Sequence, residues 1–552
     1  MASDERVAAG TDEGDSGPTD GEHDSDATDG ERVVGSGDAG PEHDGDDPVD
    51  PVVARLDDAL ERVAHGATVS VPGILVARGL TVAFTAVLTN GFAAGTYGVF
   101  AVARRLQRFL LFLSLGFRQG LNRFLPNAES QAERNALVTV ASVLLVGTAT
   151  LFGGALYLAA PTVTAVTSQD PLFGTVLRVF AVGLPASVWL FTMEGVLRGL
   201  EEVGPLNLSM RVAFPLSQLL VGVAGALVVG DPVVVAAGVV GVMGLTGVAV
   251  TAWLARERGF RPRLRAPDAD RPVWRRYVRY SVPVFLAGVA TTVQRLGFYP
   301  LVALYLTDVA GGVFAVGVLV GSLVRLPLNA INQFIPPVAA ALHEEGHRES
   351  LSRLYHVTSR IVLVGVTALS VPTVIYREAV MGLFGPTFAT YAPLLPGFIL
   401  AQYGACAAGS VGILLYMTDN QRAALVVNTV ITALLVVTAV PLTVRYGLPG
   451  LVASYLLMQT LNNGLEVGVL YYLEGLQPFT RLHLQPLAAA VPLAGVALAV
   501  KSFAAGPAVP LVGALLGLAA YAAVLRHLGF TPVERRLAGT LATRYRAMLP
   551  GR

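Results

Sequence analysis

The sequence predicts an all-α membrane protein with fourteen transmembrane helices, arranged as two parallel six-helix bundles plus two C-terminal helices. Of its 552 residues, 53% are hydrophobic and 14% are charged, which is more apolar surface than a water-soluble core can bury. Apolar windows of about 20 residues recur along the chain, and that length crosses a bilayer. Arginines gather in alternate connections between these windows, as expected for a protein that crosses the membrane many times.

The chain begins with a strongly acidic region. Residues 1–50 hold 17 of the 39 acidic residues, two arginines and no aromatic residue, so they bury too little apolar surface to offset the entropy of ordering. We therefore predict a disordered acidic cytoplasmic tail over 1–65. No basic segment followed by an apolar one precedes the first window, so we expect no cleaved signal peptide.

The fourteen predicted spans follow in order. They cover about 70–90, 96–117, 136–159, 172–196, 206–229, 233–255, 280–305, 312–336, 357–376, 389–416, 423–443, 449–473, 485–502 and 508–526. Alternate connections together with the C-terminal tail carry 23 arginines, whereas the opposite set carries three basic residues, Arg377, Arg445 and Lys501. Basic residues accumulate on the cytoplasmic side, so both termini are predicted to be cytoplasmic.

The chain also repeats itself. The sequence GVFAV occurs at 98–102 and again at 312–316, and FLP at 124–126 returns as FIP at 334–336. This predicts an N-terminal six-helix bundle at 66–255, a basic cytoplasmic linker at 256–276 and a C-terminal six-helix bundle at 277–474. Helices 13 and 14 follow at 475–528, and a basic cytoplasmic tail at 529–552. Because six is even, both bundles enter the membrane in the same sense and form parallel repeats.

Three arginines lie deep in span 2. Arg104 and Arg108 are about 14 to 20 Å from the outer end of that helix at 1.5 Å per residue, and Arg105 is three residues from Arg108. A charge at that depth costs at least about 2.5 to 3.5 kcal/mol, so it should face a wet cavity or a fixed anion. Arginine suits a phosphate because its planar fork binds two oxygens and stays charged.

The matched opening spans of the two repeats carry further polar residues, and transporters place substrate at such repeat interfaces. Candidate phosphate-binding residues are Arg78, Arg104, Arg105, Arg108, Arg295 and Arg325, and candidate sugar contacts are Gln294, Gln459 and Asn462. The competing interpretations stay open. An arginine could pair with a buried carboxylate, or reach the surface in the case of Arg78, and an amide could hold helices together.

Two carboxylates lie within spans, Glu194 and Glu466. Either could bind a coupling proton or sodium ion, or simply balance an arginine. The sequence His343-Glu-Glu-Gly-His347 matches the zinc-protease pattern, but it contains a glycine and has no evident third ligand, so no metal site is predicted. The single cysteine, Cys406, excludes an intrachain disulfide.

Three features are shared with a known family: the sequence GVF that opens spans 2 and 8, the sequence QGLNRFLP at 119–126, and the layout in two bundles. In these features the chain resembles the polysaccharide biosynthesis flippases. These belong to the multidrug/oligosaccharidyl-lipid/polysaccharide exporter superfamily. The resemblance covers about residues 66–526. It implies a transporter, not an enzyme, that turns a polyprenyl-phosphate- or diphosphate-linked oligosaccharide across the cell membrane by alternating access. It implies no cofactor, and it implies that a proton or sodium gradient could be coupled to transport.

Other functions remain open from sequence. A drug or metabolite exporter of the same fold would favour acidic cavities, and a glycan polymerase or ligase would need acid and base residues on a sizeable outer loop. The outer connections are short and carry only scattered groups such as Asp170, Asp231 and Asp308. Expected partners are the lipid-linked oligosaccharide, membrane lipid and glycosyltransferases, which the acidic tail could bind. Nucleic acid is not expected.

Overall fold

The computed structural model describes residues 72–167, 170–264, 272–333 and 335–529, and every regular element in these ranges is helical. The predicted acidic tail at 1–65, part of the linker (265–271) and the tail from 530 onward lie outside the described residues. The all-α prediction is confirmed for the described part of the chain.

The first half of the described chain, here called the N-half, contains helices α1 to α9. They are α1 (Pro72–Gly91), α2 (Ala94–Ser114), α3 (Gln119–Phe124), α4 (Gln131–Thr167), α5 (Pro171–Val182), α6 (Leu184–Gly199), α7 (Val203–Leu206), α8 (Phe214–Val223) and α9 (Pro232–Glu257). Helices α7 and α8 belong to one continuous helix, Val203–Val229, that includes two π-helical stretches. Asp170 and Asp231 cap α5 and α9, since each carboxylate accepts a hydrogen bond from a backbone N–H of the first turn.

The second half, here called the C-half, contains helices α10 to α20. They are α10 (Val273–Leu296), α11 (Phe298–Tyr305), α12 (Asp308–Val324), α13 (Leu326–Ile331), α14 (Ile335–Glu344), α15 (Arg348–Ile375), α16 (Arg377–Gly382), α17 (Pro386–Ala389), α18 (Leu395–Ala407), α19 (Val411–Met417) and α20 (Gln421–Glu474). Helix α20 is broken at Gly447, whose φ of 61° and ψ of −138° are not helical.

Two further helices, α21 (Leu484–Phe503) and α22 (Val509–Leu528), form a hairpin that is fixed to α15 at both ends. At one end the Tyr376 hydroxyl donates a hydrogen bond to the Ala497 carbonyl at 2.7 Å. At the other end Ser359 bonds to His483 at 3.0 Å, and Arg360 donates to Gln485. Arg360 therefore serves to join helices.

Nine helices of the described chain are long and apolar enough to cross a membrane, and a tenth span results if α5 and α6, bent by 45° to each other, are counted as one. The protein is thus a multi-pass membrane protein. The predicted count of fourteen is larger for identifiable reasons. Helix α2 contains three arginines, α12 has only 17 residues, and the 54 residues of α20 include a break.

The two GVFAV repeats touch each other across the halves. A methyl group added at Gly98 of α2 would lie 1.7 Å from the Asp308 carbonyl oxygen, and one added at Gly312 of α12 would lie 3.3 Å from the Gly98 Cα. Helices α2 and α12 therefore pack backbone to backbone near their first turns, which only small residues permit.

The connection between α15 and α18 lies against the C-terminal end of α1 and the N-terminal end of α2. The Asn90 side chain donates a hydrogen bond to the Leu383 carbonyl at 3.0 Å, and the Phe388 ring meets the Tyr97 ring edge-on at 5.9 Å. Phe384 and Phe388 are fully buried. This connection, predicted as an outer loop, is a packed cap.

Candidate functional site

A cavity of about 420 Å³ lies between α1, α2, α6 and the Val203–Val229 helix, with two residues of α12 at its border. We call it the arginine cavity, because six arginines line it: Arg78, Arg104, Arg105, Arg108, Arg198 and Arg211. Its wall runs from Leu88 and Tyr97, beside the contact between α2 and α12, to Arg198 and Arg211 at the arginine-rich side of the protein.

The three deep arginines of α2 are half-buried side chains that reach this cavity. Among the described residues, no carboxylate lies within 4 Å of any of their guanidinium groups. Aromatic rings support two of them, since Arg104 lies over Phe84 with its Cζ 5.0 Å from the ring centroid and Arg105 lies over Tyr299 at 5.2 Å. The rings orient the charges without neutralising them.

Glu194 borders the same cavity but is already paired. Its Oε1 lies 2.6 Å from Arg198 and its Oε2 lies 3.2 Å from Arg118. These contacts agree with the interpretation in which Glu194 balances arginines. Arg118 and Arg198 both lie on the side of the protein that is predicted to be cytoplasmic. The cavity therefore keeps a large excess of positive charge.

A second cavity, of about 540 Å³, lies within the C-half between α12, α13, α18, α19 and α20. We call it the amide cavity, because seven amide side chains line it: Asn329, Asn332, Gln402, Asn428, Gln459, Asn462 and Asn463. Arg325 also lines it and donates to Gln402 at 3.5 Å. Arg78 lines both cavities, so the two spaces adjoin at this residue.

Glu466 lies in the wall of the amide cavity with only 8% of its surface exposed. It accepts a hydrogen bond from Asn462 at 3.1 Å, and no cationic group of the described chain lies within 4 Å of it. A buried carboxylate without an ion pair is costly in a membrane. Glu466 therefore differs from Glu194, whose carboxylate is paired with two arginines.

The side chains of Gln294 and Arg295, two of the predicted site residues, lie outside the described residues. The histidine motif does not form a zinc-protease helix, because α14 ends at Glu344 and Gly346 has a φ of +73°. Within the described chain no group of three or more His, Cys, Asp or Glu side chains could hold a metal ion.

Sequence reasoning missed several residues of the two cavities. Arg211 and Gln218 lie inside span 5 and Gln402 inside span 10, and each lines one of the cavities. The signal was available, since a polar side chain within an apolar span should face a cavity or a partner helix. Asn329 of α13 carried the same signal, because it lies inside predicted span 8.

No protein-family model matches the sequence, and neither does any curated protein sequence. Solved structures do match. The lipid II flippase MurJ in an inward closed conformation superposes with a TM-score of 0.67 at 9% identity, over 82% of this chain and 96% of that chain.

The chain shares its fold with solved transporters of the multidrug/oligosaccharidyl-lipid/polysaccharide exporter superfamily. An inward-facing multidrug resistance MATE transporter of this MOP superfamily matches with a TM-score of 0.55 at 17% identity, over 75% of this chain and 96% of that chain. A MOP-superfamily transporter from Pyrococcus furiosus, described as having a binding pocket of reverse polarity, matches with a TM-score of 0.53 at 16% identity, over 77% and 97%. These matched structures are a flippase and two transporters.

Proposed function

We propose that this protein is a flippase that moves a polyprenyl-phosphate- or diphosphate-linked oligosaccharide across the cell membrane by alternating access. The glycan would serve surface polysaccharide or glycoprotein assembly. The observation that carries the proposal is the set of three arginines in α2, which line the arginine cavity with no carboxylate within 4 Å among the described residues. A phosphate group is the anion that such a set of planar guanidinium groups binds well.

We further propose fourteen spans in two bundles, with both termini cytoplasmic. Two counting rules support this number. The two parts of α20 count as separate spans, and three helix pairs count as one span each: α5 with α6, α10 with α11, and α12 with α13. Each predicted window then corresponds to one helical span. The lipid tail would remain in the bilayer while the phosphate enters the arginine cavity. A proton or sodium gradient would drive the cycle, with Glu466 as the better placed carboxylate of the two.

A drug or metabolite exporter is the second candidate, supported by the likeness to the MATE transporter. Its cavity would have to accept cations, which the arginine cavity repels because its only carboxylate, among the described lining residues, is paired with Arg118 and Arg198. A glycan polymerase or ligase has weaker support, since Asp170 and Asp231 are engaged as helix caps. Increased drug susceptibility of a deletion strain with normal surface glycan would favour the exporter.

The test replaces deep arginines with an uncharged residue. Arg104→Gln and Arg108→Gln should each lower export of the surface glycan at least about tenfold, because the charged hydrogen bonds to phosphate are lost. Lipid-linked glycan should then accumulate in the cytoplasmic leaflet, where a membrane-impermeant lectin or glycosidase measures it in inverted vesicles.

The matched control is Arg178→Gln. Arg178 is also an arginine within a membrane helix, but it is exposed on α5 beside the Tyr157 ring and lines neither cavity. It should leave export unchanged. Normal export in both α2 variants, at normal protein abundance, would remove the main support for the proposal.

A further inference from the structure

We propose that the amide cavity is the glycan subsite of the transporter, and that it accepts a neutral, hydroxyl-rich sugar next to the phosphate. This inference rests on the proposed function. The arginine cavity would hold the phosphate and the adjoining amide cavity would hold the first sugar, so that one substrate headgroup spans both halves of the protein.

The first support is that several amides have no role in holding helices together. The side chains of Gln459 and Asn329 line the cavity and make no hydrogen bond to any described residue, and Asn463 donates only to the Gln459 carbonyl of its own helix at 2.7 Å. An amide removed from water without a partner costs free energy. Amides that served as interhelical contacts would be bonded across helices, so these three suit a ligand or water.

The second support is the arrangement of polar groups along α20. Gln459, Asn462, Asn463 and Glu466 are spaced at i, i+3, i+4 and i+7, which puts them on one face of the helix. The face extends about 10 Å at 1.5 Å per residue. Amides both donate and accept hydrogen bonds, so the face can bind hydroxyl groups in either direction. The cavity volume of about 540 Å³ is in the range of small-ligand pockets.

The third support is the difference in charge between the two cavities. The arginine cavity has six arginines and one carboxylate, and that carboxylate is paired. The amide cavity has Arg325 and the shared Arg78 against Glu466, which has no ion pair among the described residues. An anion is therefore favoured in the arginine cavity. The amide cavity is much less positive, and a sugar carboxylate placed beside Glu466 would be repelled by it, whereas a neutral hydroxyl can donate a hydrogen bond to it.

The experiment measures binding to the purified full-length protein in lipid nanodiscs. The probes are short-chain isoprenyl phosphate, the same lipid carrying a neutral hexose, and the same lipid carrying a hexuronic acid, each also as the diphosphate. We expect wild-type protein to bind the hexose probe about tenfold more tightly than the sugar-free lipid, in at least one of the two phosphate series. That ratio corresponds to one or two net hydrogen bonds. The hexuronic acid probe should lose most of the gain.

Variants then separate the two subsites. Gln459→Ala and Asn329→Ala should each weaken hexose-probe binding about fivefold and leave the sugar-free lipid unchanged. Thr460→Ala is the matched control on α20, since its hydroxyl bonds to the Leu456 carbonyl of its own helix and it lines neither cavity. Thermal unfolding of each variant confirms that it folds.

The inference is overturned if the hexose probe binds no better than the sugar-free lipid in both series, or if the alanine variants weaken both probes equally. A different result would contradict the proposed function. In that case Arg104→Gln and Arg108→Gln would leave binding of the sugar-free lipid unchanged. Glu466→Gln adds a third readout. It should raise affinity for the hexuronic acid probe several-fold and keep hexose binding, which a purely structural role of Glu466 would not produce.

Discussion

At the scale of single residues, the contrast between the deep arginines and Glu194 defines the charge of the arginine cavity. Glu194 is bound by Arg118 at 3.2 Å and by Arg198 at 2.6 Å, while the guanidinium groups of α2 are bound by no described carboxylate. The only carboxylate among the described lining residues is therefore paired with Arg118 and Arg198 and not with the arginines of α2. This leaves the positive charges of Arg104, Arg105 and Arg108 available for an anion.

We predict that Glu194 acts through these ion pairs and not as an ion-coupling group. Glu194→Ala should lower the free energy of unfolding by about 1 to 2 kcal/mol, because the Arg118 side chain is only 22% exposed and would lose its carboxylate. Arg118→Met in the same chain should restore part of the loss. Thermal unfolding of the purified protein in detergent measures both effects.

The neutral variant Glu194→Gln distinguishes the two roles. It retains the shape of the side chain, so we expect glycan export to stay near the wild-type level. Loss of export with an unchanged unfolding temperature would assign ion coupling to Glu194 and contradict the prediction.

Some contacts of the arginine cavity could be predicted from the sequence. Helical spacing predicted that Arg104 and Arg108 share one face of span 2, and both line the arginine cavity. The partner of Glu194 was not readable, because Arg118 lies in the 3₁₀ turn that follows α2 and only the folded chain brings it beside α6. Pairing between distant segments depends on tertiary packing, which spacing within one segment does not determine.

At the scale of helices, the contact between α2 and α12 lies beside one end of the arginine cavity. Gly98 and Gly312 come from the two copies of the same repeat, and they pack together where the halves meet. The sequence predicted the repeat but not this contact, because equivalence of two motifs does not say that they touch. In the proposed alternating-access cycle, α2 and α12 would have to separate there.

We predict that Gly98→Ala holds this end of the cavity open. The added methyl group would lie 1.7 Å from the Asp308 carbonyl oxygen, so α2 and α12 could not pack as they do. Export should fall, and a cysteine placed at Ala101 in the cavity wall should react several-fold faster with a membrane-impermeant thiol reagent added from outside. The single native Cys406 is fully buried and is replaced by serine for this measurement.

Gly95→Ala is the matched control on the same helix. A methyl group there would lie 3.8 Å from the Asp308 Cβ, an ordinary van der Waals distance, so both export and labelling should match the wild type. Equal labelling of the Gly98→Ala and Gly95→Ala proteins would show that this contact does not close the cavity.

At the scale of the whole molecule, the number of membrane crossings depends on α20. Its 54 residues form one helix by hydrogen bonding, yet the backbone of Gly447 is not helical. At 1.5 Å per residue a straight helix of that length would measure about 80 Å, far more than the roughly 30 Å of hydrocarbon in a bilayer. We therefore expect α20 to cross the membrane twice, turning at Gly447, which makes three crossings between Asp419 and Gly506.

Cysteine labelling in intact cells tests this topology, in the Cys406→Ser background. Cysteines at the exposed positions Gly230 and Gly506 should react with an impermeant maleimide added outside, whereas cysteines at the exposed positions Asn127 and Asp419 should react only after permeabilisation. This pattern follows from the 23 arginines on one side and three basic residues on the other. If Asp419 and Gly506 label from the same side, α20 crosses once, and both the fourteen-span topology and the cytoplasmic placement of the two termini are wrong.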